Sequence, residues 1–504
     1  MVMKKTSWHL FIQIFLLCIT TAHLIAQNEE TLIDSYSAGN DLFHTIFDNS
    51  DSLDTIPIKS IVHPKDFRTQ PIKDFTFILY MAADNDLQRY AVRNIKQMST
   101  IGSTDSINIV AHLDIRANNK KVCSHFYVEK NNILEFNQGI TKLDSGDPQS
   151  LITFIKWTVE NFPARHYMLD FWDHGTGIVD PTGNRIIRAT DLFVFNPDTR
   201  KLELDRSIDF LELILNSDQN QYGHIPNSDQ NEYSHLPMRG ICWDDSTGHY
   251  LTNQKLAYAL ATIKEEALHG QKFDIIGFDA CLMSMLEIAD ILKDYAHILV
   301  ASQEVELGTG WNYQNILAPF AQGTLEPLSL AKHIVNAYEK IYSPHTNDYT
   351  LSAINLDQVN NLNNNINTIA DLLLTCLRLQ KNMSVKKALN ASRSRRACTH
   401  FDTPQYIDLH HFYRNLQANL KSFSFNNEKE GARLIQTLSL KLEEGKAIIE
   451  NIVLANVAGI NLSQAKGISI YFPEQKIHSS YTMTSFAKNN RWAQFLTQTV
   501  PIVM

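Results

Sequence analysis

Phe273-Asp-Ile-Ile-Gly-Phe-Asp-Ala-Cys-Leu-Met283 decides the fold class. Phe273–Phe278 reads as a buried strand, and Phe75–Met81 is a nearly continuous apolar run, as expected of a strand covered on both faces of a parallel sheet. From about Leu282 the pattern reads as an amphipathic helix, so Cys281 falls where a buried strand turns into a helix. Working outward, Phe75–Met81, Ile107–Leu113, Tyr167–Trp172, 239–243 and Ile298–Ala301 read as further strands. Helical patterns cover 85–101, 149–161 and 252–267. Strands alternating with helices predict a largely parallel α/β sheet with crossover helices. From about 325 the chain reads as mainly helical, with helices at 329–342 and 361–380. A late apolar strand in Gly467–Phe472 is expected to rejoin the sheet or form a small subdomain.

The 504 residues carry a formal net charge of -9, which gives no footprint for nucleic acid. Lys4 and Lys5 precede an apolar run from about Leu10 to Thr20, with Ala26 just before Gln27. That is an export-signal pattern, and the run is shorter than the roughly 20 residues a membrane span needs. The reading is therefore a signal peptide at 1–26 and a polar, flexible leader or pro-segment at 27–70. An α/β core follows at 71–325, then a helical C-terminal region with a late strand at 326–504. A secreted or periplasmic monomer is expected. Asn216–Pro226 is repeated almost at once as Asn227–Pro237, a polar surface-loop expansion rather than a solenoid.

Past the signal remain Cys123, Cys242, Cys281, Cys376 and Cys398, irregularly spaced and without a CxxC pair. Neither a zinc site nor a dense disulfide framework is indicated. An odd number in an oxidising compartment leaves at least one thiol free or paired between chains.

Open parallel sheets gather chemistry outside the carboxyl ends of their strands. Two such ends stand out. Phe171-Trp-Asp-His-Gly-Thr-Gly177 puts His174 beside glycines that let backbone approach a ligand closely. The second end carries Cys281, where a helix N-terminus would lower the thiol pKa from about 8.5. An imidazole can then protonate a leaving amine. The amides of Gly175 and Cys281 could together hold an oxyanion.

These residues carry a resemblance. Tyr80–Leu87, Asp173–Gly177, Trp243–Leu251, Asp279–Met283, Ala301–Glu304 with Gly310–Tyr313, Tyr406–Leu409 and Gly467–Pro473 are similar, in order, to the clostripain-like cysteine peptidases of family C11, relatives of caspases, gingipains and legumains. The resemblance implies a caspase-like three-layer sandwich and a His174/Cys281 dyad, with oxyanion donors at Gly175 and Cys281. It implies cleavage of peptides after Arg or Lys through acidic groups under the substrate side chain. Asp279 matches one of them, and strand alternation puts it on the side of Cys281. The family's usual Asp is Asn312 here, so basic selectivity would rest on Asp279 and Glu304. The family also matures by cutting after the catalytic His, which points to Arg185 or Arg188. No cofactor is required, although some members respond to calcium and the acidic surface could bind it without an EF-hand-like loop.

Two other readings stay open. His112, Asp114, Asp170, Asp173 and His174 could gather as ligands of a metal hydrolase, though no standard spacing supports it. A non-catalytic caspase-like binding protein is the other.

Overall fold

The computed structural model describes residues 58–61, 72–117, 120–136, 143–179, 192–207 and 240–500. The signal, most of the leader, Arg185, Arg188 and the tandem repeat lie outside the described residues.

In chain order, β1 (Ile58–Ile61), β2 (Lys73–Ala83), β3 (Ile107–Ala117), β4 (Lys120–Glu129), β5 (Asn132–Phe136) and β6 (Ala164–Trp172) precede two hairpins. The hairpins are β7 (Phe193–Asn196) with β8 (Lys201–Leu204), and β9 (Ile241–Asp244) with β10 (His249–Leu251). Then come β11 (Phe273–Asp279), β12 (Ala296–Ala301), β13 (Thr350–Asn355), β14 (Tyr406–Asp408), β15 (Val453–Ala458) and β16 (Ser469–Tyr471). Ten of them form one sheet in the order β1-β5-β4-β3-β2-β6-β11-β12-β13-β15.

The centre, β3-β2-β6-β11-β12, is parallel. It is also where the sequence shows unbroken apolar runs, because both faces are covered. On β2, Phe77 packs against Tyr313 at 6.1 Å between ring centroids and Tyr80 against Phe154 at 6.0 Å. Odd and even residues of a strand point to opposite faces, so these contacts define the two helical layers of a sandwich. The helix Pro148–Asn161 starts on an Asp147 side chain that accepts from the Gln149 amide, and Asn253–Glu266 starts on Thr252 in the same way.

The flanks differ from the sequence expectation. β3-β4-β5 and β12-β13-β15 run antiparallel. β1 adds parallel to β5, so the leader contributes an edge strand. The sheet also continues past residue 326, because β13 and β15 come from the mainly helical region. The late strand does not rejoin it: β16 pairs with β14 in a separate two-stranded sheet. That pair still serves the site, since the Ser469 amide donates to Ser284 O at 3.0 Å, just beyond Cys281. Among the described residues no helix is long and apolar enough to cross a membrane.

Candidate active site

The carboxyl ends of β2, β6 and β11 lie side by side, and Asp279 is in register with Trp172. Asp86, His174 and Cys281 follow these three ends, where a parallel sheet opens to solvent. His174 and Cys281 line one cleft with Asp279, Glu306 and Gly310. The backbone next to His174 approaches that of Cys281 closely. A Cβ on Gly175 would come within 2.3 Å of the Cys281 carbonyl oxygen, so only glycine allows this approach.

Cys281 is not at a helix N-terminus. Leu282 takes φ 65° and the helix begins at Leu286. Residues 280–285 instead form a turn tied to the β12 exit, where Leu282 N donates to Glu304 O at 3.2 Å and Ser284 N to Ser302 O at 2.8 Å. The expected dipole assistance is therefore lost. Burial, with Glu306, Asp402 and Glu304 adding negative charge, pushes the Cys281 thiol up, although the Glu306 amide donates to Sγ at 3.2 Å. The free site holds its thiol protonated.

His174 is poised in the opposite sense. Burial alone would depress it, but Asp86, whose Oδ1 lies 2.7 Å from Nε2, together with Asp173 and Asp245 lifts it to about 9. Asp173 anchors the loop: it accepts from Asn85 Nδ2 at 2.7 Å and from the Trp243 amide, and its own amide reaches Asp279 O at 3.3 Å. At neutral pH His174 is thus an imidazolium, able to donate a proton.

The three residues expected under the substrate side chain part company. Asp279 lines the cleft, where its carboxyl accepts from Trp311 N at 2.8 Å. Burial lifts it to about 7. Asn312 is used elsewhere: its Oδ1 accepts from Asn315 N at 3.0 Å and caps the helix Tyr313–Leu317. Glu304 is also engaged, accepting from Val305 N at 2.9 Å and Asp402 N at 2.7 Å and pairing with Arg206 at 2.8 Å. Neither Asn312 nor Glu304 is among the residues lining the cleft.

Two residues were missed in the sequence. Asp86 sits in the quoted Tyr80–Leu87 motif just past β2, so its strand-end position could have revealed it. Glu306 carried no comparable signal; only the fold turns it toward Cys281.

The metal-hydrolase set does not assemble. His112 stacks on Tyr80 at 4.4 Å and bonds to Ser145. Among the described residues the one group with ligating geometry is Asp84, Asp114 and Asp244, sharing only Asp114 with that set. The Lys121 ammonium already fills it, 3.0 Å from Asp114 and in contact with Asp244. All five described cysteines are buried and free, so no disulfide frames the site.

A caspase-like sandwich with a thiol and an imidazole at neighbouring strand ends is the class that fold and cleft define. The clostripain family model matches residues 79–190 and 208–500, and the chain belongs to that family. Clostripain of Hathewaya histolytica is 24% identical over 268 residues, which is 48% of this chain and 41% of that protein. The chain thus spans less than half of that relative's length. An inactive zymogen C11 protease from Parabacteroides distasonis matches with TM-score 0.50 and 18% identity, covering 84% of this chain and 99% of that one. A secreted C11 cysteine protease from Bacteroides thetaiotaomicron, solved with an irreversible peptide inhibitor, matches with TM-score 0.51 and 16% identity over 84% and 99%. At such identity these likenesses speak for the fold.

Proposed function

We propose that the protein is an exported cysteine endopeptidase that cleaves after Arg or Lys, with Cys281 as nucleophile and His174 as acid. The shared cleft, with the Gly175 and Cys281 backbones in contact, is the observation that carries this reading. Reaction needs the pair to lose one proton and leave the other on nitrogen. Burial holds the Cys281 proton more tightly than His174 holds its own, so the thiolate–imidazolium form is the minor one and is drawn off as the sulfur attacks. The sulfur then attacks the scissile carbonyl, and the amides of Gly175 and Cys281 are the donors for the oxyanion. His174 hands its proton to the departing amine. The neutral imidazole next takes a proton from the water that cleaves the thioester, which regenerates thiol and imidazolium. Asp279 at the cleft floor supports selection of a cationic side chain. Maturation by self-cleavage after Arg185 or Arg188 belongs to the same proposal.

A fluorogenic panel with Arg, Lys, Asn and Asp at P1 tests it on wild type and Cys281→Ala. Cleavage after Arg and Lys, abolished in the variant, is expected. Equal cleavage by the Cys281→Ala protein would overturn the reading.

A further inference from the structure

We infer that Tyr406 is a positioning residue for the proposed peptidase reaction, its hydroxyl fixing the loop that presents the Gly175 amide. This rests on the peptidase reading above and adds a residue from the C-terminal region to it. Tyr406–Leu409 and Gly467–Pro473 are two of the stretches that carry the family resemblance, yet neither supplies a residue to the cleft lining. Their place is behind it. Asp173–Val179 contains Gly175 and Gly177, which have no side chains to hold the loop, and Gly177 takes φ 66°. The loop's position has to be imposed by its neighbours. The Tyr406 hydroxyl donates to Thr176 O at 2.7 Å and accepts from Val179 N at 3.1 Å, so one side chain meets both backbone groups. The bonds from Thr176 Oγ1 to Gly240 O and from Asn253 Nδ2 to Gly177 O are longer, at 3.4 Å each. Tyr406 is buried, which pushes its phenol up, so the hydroxyl keeps the proton it donates.

The same tyrosine ties the His174 loop to the Cys281 turn. A Cβ on Gly177 would come within 2.8 Å of the Tyr406 ring, 2.7 Å of Met285 Sδ and 3.0 Å of Leu282 O, so loop, ring and turn meet at this glycine. On β14 Tyr406 is in register with Tyr471 of β16, and Asp408 with Ser469. Ser469 N and Oγ both donate to Ser284 O at 3.0 Å, and Ser284 Oγ donates to Gly467 O at 2.7 Å. One two-stranded sheet thus holds the loop after the imidazole through a side chain and the turn after the thiol through its backbone. The oxyanion needs amides from both, Gly175 from the loop and Cys281 from the turn, and its stabilisation depends on their mutual placement. Removing an oxyanion donor outright costs roughly a hundredfold or more in kcat, and letting one drift costs part of that.

Tyr406→Phe keeps the ring and deletes only the hydroxyl. Rates are taken per active site titrated with an irreversible arginine-bearing peptide, so misfolded protein does not count. The variant should lose about tenfold in kcat with KM within about twofold. Its affinity for a peptide aldehyde, whose adduct places an oxygen in the oxyanion position, should fall about tenfold. Alkylation of Cys281 by iodoacetamide, which forms no oxyanion, should stay within about twofold. Tyr471→Phe is the control for a purely structural hydroxyl. It removes a buried phenol that accepts from His478 N at 2.8 Å, and it should lower the melting temperature but not kcat. A Tyr406→Phe enzyme with kcat within about twofold of wild type overturns the inference. So do equal losses of aldehyde affinity and alkylation rate, or equal kcat losses in the two tyrosine variants. A wild type that cleaves no Arg or Lys peptide overturns instead the peptidase reading on which it rests. Should Tyr406→Phe fail to fold, a wild-type structure with the aldehyde bound decides. Gly175 N must then reach the adduct oxygen while Tyr406 Oη keeps Thr176 O, and absence of either bond overturns the inference.

Discussion

Asp86→Asn replaces the carboxylate that holds His174 by an amide of the same shape. In the native protein His174 stands at about 9 against an ordinary 6.5, even though burial works the other way. A gap of that size corresponds to about 3 kcal/mol in favour of the imidazolium, shared among Asp86, Asp173 and Asp245. Asp86 makes the direct contact at 2.7 Å, but its side chain is 35% exposed, so solvent screens part of its effect. Allotting it roughly half of the total, the variant's His174 should titrate about one unit lower, near 8. Histidine-selective NMR in a Cys281→Ala background reads this directly, with His174→Gln to assign the signal. The stability consequence has a definite sign. A group raised from 6.5 contributes fully below that pH and loses its contribution as pH rises through about 9. Asp86→Asn should therefore be destabilised at pH 6 and converge with the parent above pH 9. A His174 titration unmoved by the substitution would refute the reasoning, because the imidazolium would then owe nothing to its nearest carboxylate.

The buried imidazoles give the opposite slope. Among the described residues neither nitrogen of His125 has a hydrogen-bond partner, and burial drives it down to about 4, so its contribution is complete above 6.5 and is lost as pH falls through 4. Melting temperature should drop over that interval and drop less in His125→Phe; equal slopes would remove His125 as the cause. Lys121→Met leaves Asp114 and Asp244 facing one another without their cation, while Asp84 keeps Arg116 at 3.1 Å. Urea unfolding should show a loss of about 3–5 kcal/mol. A variant as stable as its parent would mean that Asp114 and Asp244 are not both charged.

Much of the fold was legible because the central strands are buried on both faces, and that leaves apolar runs such as Phe77–Met81. The antiparallel flanks were not legible. β13, Thr350-Leu-Ser-Ala-Ile-Asn355, mixes polar with apolar residues and sits within helical chain, so only its pairing with β12 and β15 makes it a strand. Cys281 and His174 were legible from strand ends and glycines. The helix after Cys281 was placed too early, because the turn that displaces it is set by contacts with the distant residues Glu304, Ser302 and Ser469. The same limit explains Glu304 and Glu306. Both are acidic residues in one short loop, and nothing local says that Arg206 claims one while the other faces the cleft.

Covalent capture of the nucleophile tests the central claim most directly. Protein treated with an irreversible, arginine-bearing thiol-reactive peptide should gain one adduct, and peptide mapping by mass spectrometry should place it on Cys281. His174→Gln should slow its formation and Cys281→Ala should eliminate it. An adduct on Cys123, Cys242, Cys376 or Cys398, or peptide cleavage that continues with Cys281 fully alkylated, would contradict the account.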